Sequence, residues 1–194
     1  MKRIGIVFIL ILVAAGLAGC GSTMTVDYSD PQSVAKGIVA KLENNNFSQL
    51  ANFFTKEYIE KEEKKLVGMK AFLALAKADI KTDDDRRMFD ILNNMTVSDL
   101  LWFSAGGWST ELVAKQRHKT YTVKSAQLVS VMPDKYNKNT YISCIKMDVK
   151  WSDGVAETFT GGVRLTKNKD GKYYIGVANN LLNNMPECQQ ATQR

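Results

Sequence analysis

The hydrophobic period of the chain changes once, near Thr120, from the roughly 3.6-residue step of a helix to the two-residue step of a strand. That change dictates a helical half followed by a sheet half. Upstream, Ala35, Ile38, Val39 and Leu42 recur at helical spacing. Downstream, Tyr141, Ile145, Met147, Val149 and Trp151 share one face of an extended segment, while Lys146, Asp148 and Lys150 share the other. Strands are expected over Thr120–Val131, up to Trp151, over Val155–Thr166 and over Tyr173–Val177. Pro133-Asp134 with Asn137-Lys138-Asn139 marks a loop, and Ser152-Asp153-Gly154 and Asn168-Lys169-Asp170-Gly171 mark turns. Short hairpins make neighbouring strands antiparallel, so the expected class is α+β. N-terminal helices should pack on a curved C-terminal sheet of about four strands with one wet face. Gly161-Gly162 in the third strand suggests a bulge or sharp bend.

The helical half carries its own punctuation. Asp30 is a good N-cap and Pro31 suits the first helical position, where its missing N–H is not needed. Asn44-Asn45-Asn46 ends that helix, and Phe47-Ser48 is expected to open a second carrying Leu50, Ala51, Phe54 and Tyr58. The Glu/Lys run from Lys56 to Lys65 reads as a solvated helical face, since acids sit four residues before lysines. Leu66, Met69, Leu73, Ala76 and Ile80 predict a third helix, with Phe72 and Leu75 widening its buried stripe. Thr82-Asp83-Asp84-Asp85 reads as the start of a fourth, because acids favour the positive end of the helix dipole. A calcium loop would need alternating carboxylates, which this triplet lacks. Thr96-Val97-Ser98-Asp99 resembles a capping box leading into Leu100, Leu101, Trp102 and Phe103.

Lys2 and Arg3 precede an uncharged, mostly apolar run over residues 4–19, closed by Leu17-Ala18-Gly19-Cys20. The run is short for a permanent membrane span, which takes about 20 apolar residues. Its charged, apolar and small-residue regions follow the order of an export signal. The last four residues resemble the lipobox of bacterial lipoproteins, which implies cleavage before Cys20 and acylation of its thiol. Two acyl chains anchor stably where one is marginal. The competing reading is an uncleaved signal anchor with an incidental cysteine. The implied organisation is a signal peptide over 1–19, a lipidated tether over 20–29, one α+β domain over 30–188 and a tail over 189–194. The implied partner is the lipid bilayer, reached through Cys20 in the cell envelope. Gly21 rather than Asp after the cysteine leans towards the outer membrane where a host has two.

Residues 20–194 suffice for one domain with its own core. The formal charge of +6 drops by two when Lys2 and Arg3 leave. A modest basic excess with no dense Lys/Arg block interleaved with aromatics argues against nucleic acid as a partner. With Cys20 acylated, Cys144 and Cys188 remain, and an oxidising compartment permits a disulfide between them. The alternative is a buried free Cys144 and an exposed Cys188. Two cysteines and one histidine make a poor metal site, so neither metal nor cofactor is expected.

Chemistry is harder to find than location. Trp102, Phe103 and Trp108 beside Gly106-Gly107, with Trp151, are candidates for the mouth of an apolar pocket. A core packed on the sheet is the commoner fate of such aromatics and the favoured reading. His118, the one histidine, sits in Lys115-Gln116-Arg117-His118-Lys119, a setting that favours exposure over catalysis. No nucleophile elbow, zinc-protease helix or phosphate loop is present. No catalytic residue is therefore assigned, and binding is expected rather than catalysis.

Two stretches carry a further resemblance: Asp30-Pro31-Gln32-Ser33-Val34-Ala35 with its helix-Asn-Phe-helix continuation, and Lys167-Asn168-Lys169-Asp170-Gly171-Lys172-Tyr173-Tyr174-Ile175. They resemble small secreted lipoproteins of the nuclear-transport-factor-two-like superfamily. That implies a cone, in which a long first helix fills the concave face of a bent antiparallel sheet. It also implies a small apolar ligand or a protein partner in the envelope, with an isomerase- or hydratase-type enzyme or an assembly accessory as alternatives. Where that superfamily carries strands after its second helix, residues 60 to 100 read as helical here.

Overall fold

The computed structural model of the chain describes residues 25–76, 82–104, 119–176 and 187–188. Helix α1 (Pro31–Glu43) starts where Asp30 accepts hydrogen bonds from the amides of Gln32 and Ser33, both at 3.0 Å. Its inward face, Val34, Ala35, Ile38 and Leu42, is fully buried. Asn45 ends it in the left-handed region, at φ 53°, which asparagine tolerates better than most residues. Its side chain then reaches across to the sheet. The Asn45 amide nitrogen donates to the Val123 carbonyl at 3.0 Å, and its oxygen accepts from the Val123 amide at 2.7 Å.

Phe47–Phe53 forms a 3₁₀ helix burying Leu50 and Phe53, not the expected longer α-helix. Phe54 is extended, and Thr55 restarts the chain, accepting from Tyr58 N through its hydroxyl and from Ile59 N through its carbonyl. Helix α2 (Lys56–Ala76) thus takes in Tyr58, the Glu/Lys run and the apolar segment that the sequence assigned to separate elements. Its inward line is Ile59, Glu62, Leu66, Met69 and Leu73, stepping by three and four. Phe72 and Leu75 fall on the opposite side and stand 69% and 82% exposed, so the stripe is narrower than expected. Ile80 lies outside the described residues.

Helix α3 (Asp83–Asn94) opens on a reciprocal capping box between Thr82 and Asp85, which establishes the Asp triplet as a helix start. Helix α4 (Val97–Ser104) opens the same way: Thr96 Oγ1 accepts from Asp99 N and Asp99 accepts from Thr96 N. Leu101 carries α4 into the core.

The sheet is a meander of β1 (Tyr121–Asp134), β2 (Asn137–Trp151), β3 (Ala156–Lys167) and β4 (Tyr173–Ile175), in that order and antiparallel throughout. It is curved and open, and α1 lies against its inner face. There Val123, Met147, Phe159, Val163 and Ile175 close on Ile38 and Leu42. The fold is α+β. Two local expectations change. The first turn is only Lys135-Tyr136, because β1 runs on through Pro133, a residue an edge strand accommodates. Gly161 and Gly162 pair in register with Ile145 and Cys144, while β1 carries an extra residue after Val123 and after Leu128, and β2 the extra residues beside the turn, between Asn137 and Tyr141. Bulges concentrate on edge strands, where only one ladder is disturbed.

The domain end of the expected tether is packed rather than loose. Val26 and Tyr28 lie against the core, Tyr28 donates its hydroxyl to Asn52 O at 2.9 Å, and its carbonyl accepts from Tyr173 N at 2.7 Å. An aromatic and a branched residue find apolar surface here at small cost in chain length. Gly37 leaves the space, since a Cβ there would stand 2.8 Å from Val26 Cγ2 and 2.9 Å from Phe53.

On the outer face, Asp148 accepts from Ser125 at 2.6 Å and Thr158 at 2.5 Å. The Ser125 bond first, then that of Thr158, holds its carboxyl below the ordinary aspartate range. A depressed native pKa contributes stability above the unfolded value of about 3.9 that is lost as pH falls through the native one. Carboxyl NMR titration should place Asp148 below an ordinary aspartate, and Ser125→Ala should move it upward.

Candidate functional site

The clearest site among the described residues forms at the β1–β2 turn, on the sheet face away from α1. Asp134 closes β1 and is 6% exposed. One carboxylate oxygen accepts from Tyr136 N at 2.9 Å, fixing the two-residue turn. The other lies 3.1 Å from Arg164 Nε. The Nε–H does not point at that oxygen, so the pair attracts by charge while this buried donor stays without a hydrogen bond among the described residues. Arg164 sits between Val163 and Leu165, both fully buried on the inner face, and strand alternation turns it outward.

Thr140 and Thr166 are register partners with hydroxyls 3.2 Å apart. Gly176 follows β4 and donates its amide to Arg164 O at 2.9 Å. A Cβ at that position would stand 2.2 Å from Thr166 Oγ1, so a glycine is needed for the strands to meet here. With Tyr136 and Asn137 these groups line a cleft of about 360 Å³. The Asp134 and Arg164 charges oppose one another, and the rest of the lining supplies neutral donors and acceptors.

The C-terminal segment is fastened beside the cleft. Cys144 and Cys188 form a disulfide with a Cα–Cα distance of 5.2 Å, packed with Ile142, Val129 and Met132 on the outer face. Glu187 pairs with Lys135 at 3.3 Å, and the Lys135 ammonium stands 4.8 Å from the Tyr136 ring centroid. Tyr136 first and Glu187 second hold the Lys135 ammonium above its usual range. Glu187 is held below its own range by its backbone amide and then by Lys135.

Of the aromatic candidates, Trp151 does not line this cleft. Trp151 is 3% exposed in the main core, packs edge-on against Tyr121 and Phe159, and donates its indole N–H to Glu157 at 2.7 Å. A tryptophan on the inner face at the start of a hairpin is large enough to fill that end of the core. Trp102 and Phe103 belong to α4, and their side chains, like all of Trp108, His118 and Cys20, lie outside what the structure describes. Sequence reasoning missed Asp134, Thr140, Arg164 and Thr166. The one available signal was a lone arginine within Gly161–Leu165, an otherwise uncharged stretch of strand. Among the described residues no group of three or more His, Cys, Asp or Glu could hold a metal, and no described helix is long and apolar enough to cross a membrane. No family model, curated protein or solved structure matches the chain.

Proposed function

We propose that the chain is a lipid-anchored cell-envelope protein that acts by binding rather than by catalysis. The observation that carries the anchor is Leu17-Ala18-Gly19-Cys20, placed directly after an uncharged apolar run and two basic residues. Val26 already packs on the domain, so the segment from Cys20 to it is six residues long. Fully extended, that spans about 20 Å and holds the domain close to the bilayer. The binding reading is supported by a cleft with convergent polar groups. Gly21 favours the periplasmic side of an outer membrane.

Intact mass of the membrane-extracted protein tests the anchor. The wild type should begin at Cys20 and carry acyl chains, and Cys20→Ala should lose both the cleavage and the added mass. A wild type retaining Met1 without lipid would sink the reading. A second reading, an assembly accessory, is favoured by the exposed Val67, Phe72 and Leu75 of α2. A pull-down from solubilised membranes separates the two: a stoichiometric partner released by Phe72→Ser supports the accessory, and a small-ligand binder returns none.

A further inference from the structure

We infer that the cleft at the β1–β2 turn binds a neutral polyhydroxylated ligand of about monosaccharide size, held between Asp134, Arg164, Thr140, Thr166 and Asn137, with the Tyr136 ring at its lip. The inference rests on the binding reading above and is independent of the lipid anchor.

Size comes first. The cleft of about 360 Å³ lies at the small end of the roughly 300–1,000 Å³ spanned by ligand pockets. Charge comes next. Asp134 and Arg164 face each other at 3.1 Å, so an anion would gain the guanidinium but meet the carboxylate, and a cation the reverse. A neutral ligand meets neither penalty.

Hydrogen-bond chemistry then selects among neutral ligands. The carboxylate only accepts, the guanidinium only donates, and the threonine hydroxyls and the asparagine amide do both. A ligand hydroxyl also does both, so adjacent hydroxyls can satisfy this mixed lining where a single-function group cannot. Arg164 Nε–H is a buried donor without a hydrogen-bond partner among the described residues. Such a group costs free energy; being closed to solvent, it reports on the pair with Asp134 rather than meeting a ligand itself. Tyr136 is 81% exposed, and the lysine over its ring marks the lip as a place where polar and apolar surface meet. A pyranose presents that combination, with hydroxyls around its rim and C–H groups on its faces. The Thr140–Thr166 hydroxyl pair and Gly176 keep the floor free of bulk, since any side chain at Gly176 would displace Thr166.

The test follows the Arg164 Nε–H resonance of the full chain in detergent micelles, titrated with glucose, with myo-inositol and with inorganic phosphate. Glucose or inositol should shift that resonance saturably, with a Kd of about millimolar, as expected when hydrogen bonds to ligand replace those to water. Phosphate should not shift it. Because Arg164→Gln removes the reporter and can disturb the sheet, its binding is read by saturation transfer from protein to sugar, and it should lose the signal. Tyr136→Ala, at an exposed turn, leaves the fold intact and should weaken binding at least tenfold. Phosphate binding without sugar binding would overturn the ligand class while leaving a binding cleft in place. No response to any of the three probes, or sugar binding undiminished in both variants, would overturn the site itself.

Discussion

Replacing Cys188 with alanine should lower the stability of the domain by about 4 kcal/mol, the entropic value of a cross-link closing a loop of this length. Cys144 and Cys188 are 44 residues apart, and both are essentially inaccessible, at 0% and 1% exposure. The cross-link therefore removes much freedom from the unfolded chain. For a domain of about 150 residues, 4 kcal/mol corresponds to a Tm lowered by roughly 10 °C. Denaturant melts with and without reductant provide the measurement. The wild type should fall to the level of the variant when reduced, and the variant should ignore the reductant. A drop below about 1 kcal/mol would mean that other contacts hold the C-terminal segment as firmly. The Lys135–Glu187 pair is poorly suited to that task, being partly solvated.

The second large effect is expected at Asn45. Asn45→Ala removes both hydrogen bonds to Val123 and leaves that residue's amide and carbonyl to find other partners beside a 3% exposed side chain. Each lost bond is worth about 1 kcal/mol, and a left-handed backbone at alanine adds about 1 kcal/mol more. The total is about 3 kcal/mol, read as a shift in denaturant midpoint at constant slope. Asn45→Gly separates the terms. It should restore the backbone contribution alone and recover about a third of the loss. Full recovery with glycine would show that the contact with β1 matters little.

The parts of the fold legible in the sequence were those written locally. Asp30-Pro31, Thr82 with Asp85, and Thr96 with Asp99 announce helix starts through groups three residues apart. The alternation from Tyr141 to Trp151 assigned the inner face of β2 correctly. Misreadings arose where two local signals compete. Phe47-Ser48 and Thr55 both open helical turns, and Thr55, whose hydroxyl accepts from the Tyr58 amide, begins the long helix. Pro133 reads as a loop residue, but its missing N–H costs an edge strand little.

The cleft was illegible for a different reason. Asp134, Thr140 and Arg164 come from three strands and Gly176 follows a fourth, and each has an ordinary local role. Only the register, Thr140 opposite Thr166 and Ile142 opposite Arg164, gathers them at one end of the sheet. Register depends on turn geometry, and the first turn proved to be two residues rather than a longer loop. The placement of Phe72 and Leu75 failed similarly, because helical spacing gives a face but not which face meets a partner.

Asn45 meets Val123 across 78 residues of chain, and the face of α1 closes on strands running as far as Ile175. The hairpins, in contrast, pair neighbours in sequence and can zip as soon as they exist. A chain that emerges from its N-terminus therefore presents its first helix long before the surface that covers it. The opening quarter of the molecule must wait, with Ile38 and Leu42 uncovered, until nearly the whole chain has appeared. The first helix is then among the last elements to be covered, despite being first in sequence.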